Sequence, residues 1–206
     1  MKNNPYSKFK SLKEIMSPDT PDGWLYVGDH STRYVLGEPL DHNILVVGVN
    51  PSTAKPLEPD PTIRKVKHIC NSYPLYKCGW IMVNLYPQRA TDPDELPDKA
   101  DRILSDNNVR IIFKVLEEYK IDRVWAAWGN LIESREYLPL ELCIIFKVQD
   151  ALKNIDTINW YSWGSLTKRG NPRHPLYSKY DCEFELFPVS DYLCEFPSVV
   201  SDTGRL

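Results

Sequence analysis

Nothing in the 206 residues approaches the roughly 20 consecutive apolar residues needed to span a bilayer. The opening stretch "MKNNPYSKFKSLKEI" is polar and charged where a signal peptide would be apolar, so a cytoplasmic location is expected. The five cysteines (Cys70, Cys78, Cys143, Cys182 and Cys194) are odd in number and form no CxxC pair. That argues against a disulfide framework and against a zinc or iron–sulfur site, and the thiols are expected to be reduced and mostly buried. His, Cys and carboxylates show no usable metal-ligand spacing, so neither metal nor cofactor is expected. An excess of basic charge is missing as well: Lys and Arg number 25 against 28 Asp and Glu, for a net charge of -3. Such a balance argues against a protein that coats nucleic acid by bulk attraction and leaves only local basic clusters to do so. No repeat or low-complexity segment occurs, and the 17 prolines are scattered rather than gathered in one linker.

What is present is 42% apolar and 12% aromatic residues, enough for one substantial core. A monomeric single domain over 1–206 is expected, with its core at about 24–190 and both terminal segments peripheral. Residues 24–36, "WLYVGDHSTRYVL", read as two short strands around a polar turn. A strand at 44–49 follows, then a helix from Pro61 to Tyr73 in which Ile63, Val66, Cys70 and Tyr73 recur at helical spacing behind a capping Asp60. Next come a strand at 79–86, a long polar loop, a helix from Asn107 to Tyr119 and a strand at 123–129. A short helix ended by Pro139, a weaker strand at 143–148 and a strand at 157–163 complete the pattern. "EFELF" reads as one more short strand or as part of a loop. The alternation predicts an α/β fold: three layers, with a mainly parallel central sheet and helices on both faces.

The stretch "ILVVGVNPSTAKP" (44–56) raises the functional question, because its apolar run breaks abruptly into Gly48, Asn50, Pro51, Ser52 and Thr53. In an open α/β sheet such a break lies at the carboxyl end of a strand, where ligands bind, although these are also ordinary turn residues. Three more polar interruptions match it: Asn84 in the end of the next strand, Gly129-Asn130 after the third, and His174-Pro175 in the loop after the last. Strands of one parallel sheet point the same way, so Asn50 and His174 are expected to share a cleft. Two basic clusters, "TIRKVKH" (62–68) and "TKRGNPRHPLYSKY" (167–180), are either flanks of that cleft or solvated faces.

The order "GVNPS" (48–52), "IMVN" (81–84), "VWAAWG" (124–129), "RHPLY" (173–177) resembles the uracil-DNA glycosylase superfamily, over roughly residues 44–180. More closely, "NPSTA", "DPTIR", "VNL", "RATDP", "WG" and "PRHPLY" resemble an uncharacterised bacterial family, the domain of unknown function numbered 1643, which supplies no activity. The superfamily resemblance implies a glycosylase-like fold and hydrolysis of an N-glycosidic bond of an unusual or modified base in DNA. It implies that Asn50 positions the attacking water and that His174 donates a hydrogen bond to the departing base. An amide orients water but takes no proton, which suits an oxocarbenium-like transition state and a slower enzyme than one with Asp. Asn84, carrying both donor and acceptor, suits an amide-like base edge, and Tyr86 or Pro51 would offer a stacking surface. Ser52, Thr53, Arg64, Arg89, Arg173 and Tyr177 are candidate phosphate or nucleic-acid contacts, with Leu176 or Tyr177 as a wedge.

The sequence departs from that superfamily in lacking iron–sulfur cysteines, in its overall acidity and in two of its loops. The His-Pro loop continues with Leu176 and Tyr177 instead of Ser or Gly with a Leu wedge, and Arg89, Thr91 and Asp92 follow Asn84 closely, more polarity than a plain uracil pocket needs. They point to a larger base or a free nucleotide, unless Asp92 and Pro93 simply begin a turn. Each candidate also has a plain structural reading: Asn50 capping a turn, Asn84 satisfying backbone, His174 bonding within its loop. A hydrolase or transferase of a free nucleoside or nucleotide, and a silent nucleic-acid-binding module, are therefore the competing readings.

Overall fold

The computed structural model describes residues 8–72, 77–152, 158–197 and 199. Strands β1 (Leu25–Gly28), β2 (Arg33–Glu38), β3 (Asn43–Gly48), β4 (Gly79–Asn84), β5 (Ile121–Ala126), β6 (Trp160–Trp163) and β7 (Phe184–Leu186) form one sheet in the order β1-β2-β4-β3-β5-β6-β7. Its centre, β4-β3-β5-β6, is parallel; β1, β2 and β7 are antiparallel additions at the two edges. The sheet is thus mixed, with the expected parallel part confined to the middle.

Alternation along the strands builds two cores. On β3, Ile44 and Val46 face one way, where α1 (Pro61–Asn71) covers them with Ile63, Val66, Ile69 and Cys70. Leu45 and Val47 face the other, under α2 (Arg102–Glu118) and α3 (Tyr137–Ala151), joined there by Tyr192 and Leu193 of α4 (Val189–Leu193). The helices therefore lie on both faces. Two crossovers account for this: β3 to β4 runs one way along the sheet through α1, and β4 to β5 runs back past β3 through α2, so a common handedness puts the two helices on opposite faces. The reversal leaves a crevice at the carboxyl ends of β3, β4 and β5.

Three local expectations are corrected. Helix α2 begins at Arg102, not Asn107, because the Asp101 carboxylate accepts from the backbone N–H groups of Ile103 and Leu104 at 2.7 and 3.2 Å and so caps an earlier turn. Pro139 ends nothing: it stands in the first turn of α3, where its missing N–H would have had no partner. The apolar run at 143–148 continues that helix instead of forming a strand, and Leu138, Leu142 and Ile145 recur as one buried stripe. The expected helix end at Tyr73 and strand start at Thr157 lie outside the described residues. The core also reaches further than 24–190: Leu12, in a short 3₁₀ turn (Leu12–Glu14), is 1% exposed, and its N–H donates to the Glu118 carboxylate at the end of α2. Val199 is buried too. "EFELF" supplies β7. All five thiols are free; Cys70, Cys78 and Cys143 are buried, and Cys194 is exposed. No helix among the described residues is long and apolar enough to cross a membrane.

The α2 cap generates a stability test. Asp101→Ala is expected to cost about 1 kcal/mol, read as a lower urea midpoint at unchanged slope. An unchanged midpoint would show that the helix start does not depend on this carboxylate.

Candidate functional site

A cleft of about 1270 Å³ opens where the loops after β3, β4, β5 and β6 converge, and both Asn50 and His174 line it. Residues more than a hundred positions apart in sequence therefore meet, as the strand-end pattern requires. From the loop after β3 come Asn50, Ser52, Thr53 and Asp60; Thr91 belongs to the loop after β4, Trp128 to Asn130 to that after β5, and Lys168, Arg173 and His174 to that after β6.

The β3 loop is fixed by its carbonyls. Leu85 and Tyr86 donate their N–H groups to Gly48 and Val49 at 2.8 and 2.9 Å, and Ala90 donates to Pro51 at 2.9 Å. Across this frame the Asn50 amide is held by its nitrogen: Nδ2 donates to the Ala90 carbonyl at 2.8 Å and to that of Pro51 at 3.2 Å. With both amide hydrogens committed, Oδ1 is the atom Asn50 has left for a ligand, and it is an acceptor. Gly48 leaves room beneath: a Cβ there would lie 2.8 Å from both Asn84 Oδ1 and Met82 Cε. Met82 lines the cleft.

His174 presents the opposite polarity. It precedes the 3₁₀ turn Pro175–Tyr177, and its Nδ1 accepts from the Leu176 N–H at 3.3 Å. An accepting Nδ1 carries no proton, so in the neutral ring the hydrogen sits on Nε2. Burial pushes the imidazole down to about 4, against an opposing pull from the Asp60 charge, so His174 is neutral at pH 7 and offers an N–H donor. Its loop is anchored twice. Gly129, at φ +64°, packs so closely that a Cβ there would stand 3.0 Å from the His174 Cβ, and its N–H donates to Pro172 at 2.9 Å. Behind it, the Trp128 indole donates to Tyr192 Oη at 3.2 Å, which donates to Asn171 Oδ1 at 2.5 Å. Asn171 Nδ2 in turn donates to Asn130 at 3.1 Å and to Glu133 at 2.5 Å, and Glu133 pairs with Arg169. This polar chain ties the Trp-Gly turn to the His-Pro loop.

The remaining sequence candidates divide. Ser52, Thr53, Arg173, Leu176 and Tyr177 line the cleft; Tyr177 is 76% exposed, and Arg173 donates to the carbonyls of Ser165 and Leu166. Arg89 does not line it: its guanidinium donates to Asp29, Ser52 and Ala54 carbonyls and to Tyr26 Oη. Arg64 lies exposed on α1, bonded to the Pro59 carbonyl, and Pro51 is buried away from the cleft lining. Tyr86 packs in the other core against Tyr137 and accepts from the Asp101 N–H at 2.9 Å. Asn84 is fully buried, with neither amide atom bonded; it follows Met82 by two positions on the same strand face but is not in the lining. Asp92 starts a turn, accepting from the Asp94 N–H at 3.0 Å. Both basic clusters touch the cleft, the first through Thr62 and Ile63, but the cations that line it, Lys168, Arg169 and Arg173, all come from the second. In the first, Lys65 turns in to the Ser178 carbonyl and Lys67 pairs with Glu38.

Sequence reasoning missed Arg33 and, as a cleft residue, Asp60; of the polar cluster Arg89, Thr91 and Asp92, Thr91 alone lines the cleft. The signal for Arg33 was a cation directly ahead of the apolar run "YVL" in the strand "RYVLGE". Among the described residues no three His, Cys, Asp or Glu side chains converge on a metal-binding point.

The chain matches the family described as "Protein of unknown function (DUF1643)" over residues 33–176, well over half its length, and it belongs to that family. No curated protein and no solved structure matches it.

Two measurements follow from this geometry. Gly129→Ala is expected to cost about 1 to 2 kcal/mol through its left-handed backbone and to shift the His174 imidazole resonances, since the new methyl presses on that ring's Cβ. Unmoved His174 signals would show that the turn does not position it. The depressed His174 pKa also sets a pH dependence. Between about 6.5 and about 4 the unfolded chain binds a proton that the folded chain excludes, so this group lowers stability as pH falls through that window. His174→Gln is expected to lose less urea stability than the wild type between pH 7 and pH 4.5, and an equal loss would rule out the neutral buried ring.

Proposed function

We propose that this cleft binds a nucleobase and hydrolyses its N-glycosidic bond, in the manner of the uracil-DNA glycosylases that the motif order resembles. The observation that carries the reading is the complementary pair lining the cleft: an Asn50 amide with only its acceptor free and a neutral His174 with its donor free. Oδ1 of Asn50 accepts from a water and aims its oxygen at the anomeric carbon. As the water oxygen bonds to that carbon, the carbon–nitrogen bond breaks and its electron pair leaves with the base. The Nε2–H of His174 donates to the base oxygen on which that charge develops. A ring whose pKa lies near 4 is well suited to remain a neutral donor, because protonation does not compete at working pH. The water's proton passes to solvent or to the departing base, since an amide cannot hold it. Asn84, fully buried and outside the lining, is left without a part in this reading.

A modified base in DNA and a free nucleotide remain the two substrate forms. The cations Lys168, Arg169 and Arg173 at the mouth support a strand. That the cations of "TIRKVKH" face Pro59, Ser178 and Glu38 instead of the cleft favours the free nucleotide.

The test is incubation with a panel of modified-base oligonucleotides, free nucleosides and nucleotides, with released base detected by mass. His174→Ala is expected to slow release by roughly 10² to 10³, the usual loss for one preorganised donor at a developing oxyanion, and Asn50→Ala to slow it through loss of the acceptor that orients the water. Release at an undiminished rate from both variants would end the catalytic assignment.

A further inference from the structure

Arg33 lines the cleft yet is 1% exposed. Among the described residues its guanidinium makes one hydrogen bond, a long one from Nη1 to the Ala54 carbonyl at 3.3 Å, and its Nε has no partner. Buried cations are ordinarily paired, because removing an ion from water is costly unless another charge or several hydrogen bonds replace the solvent. No carboxylate of the described residues forms an ion pair with Arg33. A neighbouring cation makes matters worse: Arg89 donates to the same Ala54 carbonyl at 3.3 Å, and burial together with the Arg89 charge brings the Arg33 guanidinium down to about 10. Asp60 offsets part of that field, but its carboxylate caps α1 through the Ile63 N–H at 2.8 Å. Arg89 is satisfied by four protein acceptors and needs no ligand. Arg33 is not so satisfied.

Resting on the nucleobase reading above, we propose that Arg33 is an anion subsite at the floor of the cleft, built for the terminal phosphate monoester of a free nucleotide. A guanidinium fork matches phosphate oxygens in pairs, and the doubly charged monoester balances the two adjacent guanidiniums. The hydroxyls of Ser52, Thr53 and Thr91 line the same cleft and supply donors for the remaining oxygens. Burial decides between phosphate sources. A strand phosphodiester continues on both sides and lies across a surface, whereas a terminal phosphate can enter far enough to reach a residue that is 1% exposed.

The experiment is isothermal titration of the intact protein with 5′-nucleoside monophosphates, the matching nucleosides, inorganic phosphate and a short single-stranded oligonucleotide. Wild type is expected to bind the monophosphates about tenfold or more tighter than the nucleosides, the step that one charge-assisted hydrogen bond supplies. Arg33→Met, which keeps the apolar stem, is expected to erase that preference, and Arg33→Lys to keep part of it. Equal binding of monophosphate and nucleoside by wild type, absence of monophosphate binding, or a preference that survives in Arg33→Met would each overturn the subsite. An oligonucleotide that binds as tightly as the monophosphate and loses affinity equally in Arg33→Met would assign Arg33 to a strand backbone and overturn it as well. Arg33→Lys and the wild-type comparison decide the matter should Arg33→Met fail to fold. The hydrolytic reading fails separately: Asn50→Ala and His174→Ala are expected to retain the monophosphate preference whether or not any variant releases base.

Discussion

The loop after β3 has to be held open as irregular backbone, and what holds it is a guanidinium. Between Gly48 and Pro61 the chain forms no regular element beyond the bridge between Lys55 and Glu58, so its carbonyls need partners from elsewhere. Arg89 supplies them, donating to Ser52 and Ala54 in that loop, to Asp29 in the β1–β2 turn, and to Tyr26 on β1. One side chain thereby joins three segments, and Asn50 inherits its orientation from the frame, because Ala90, the neighbour of Arg89, accepts its amide hydrogen. A planar five-donor head can do this where the point charge of a lysine could not. The consequence is an accumulation of positive charge beside Arg33, which Asp60 and Tyr26 only partly oppose.

The other wall obeys a different constraint. The His174 loop is positioned by close packing on Gly129 and by the polar chain from Trp128 through Tyr192 and Asn171 to Glu133, most of it inside the protein. In such a place each group must be satisfied, and this chain is: indole to phenol, phenol to amide, amide to carboxylate, carboxylate to Arg169. The rigidity fixes the tautomer of His174, since only a ring with an unprotonated Nδ1 can accept from Leu176. One wall thus offers an acceptor and the other a donor, each selected by hydrogen bonds that face away from the cleft.

Much of the fold was legible because its signals were local. Strands β3, β4 and β5 announced themselves as apolar runs closed by Gly or Asn, and α1 by Asp60-Pro61 ahead of a helical stripe. Where two local signals competed, the wrong one was read. Pro139 looked like a stop but sits where a helix tolerates it, and "CIIFKV" looked like a strand because a short apolar run does not reveal its period. The meeting of Asn50 with His174 was legible from strand ends alone, since parallel strands place their carboxyl ends together. The fates of Arg89 and Tyr86 were not, because both act on partners far off in sequence: Tyr86 on the head of α2, Arg89 on β1 and its turn.

Arg33 shows why the interior of a site is harder to read than its rim. In the sequence it stands beside four apolar or small residues of an edge-like strand, and a charge there passes for a solvated face. In the fold β2 is not the edge, because β1 lies outside it, so residue 33 is enclosed. A cation enclosed without a carboxylate partner is a conflict between the local pattern and global burial, and such conflicts mark functional positions more often than errors of folding. The sharing of one carbonyl by Arg33 and Arg89 sharpens the point. Were both arginines structural, a single carboxylate in place of Thr91 or Ser52 could have relieved their repulsion without altering the backbone. Hydroxyls at those positions leave the positive charge only partly offset by Asp60 and the cleft able to receive an anion, which is the arrangement expected when the rest of the compensating charge arrives with the ligand.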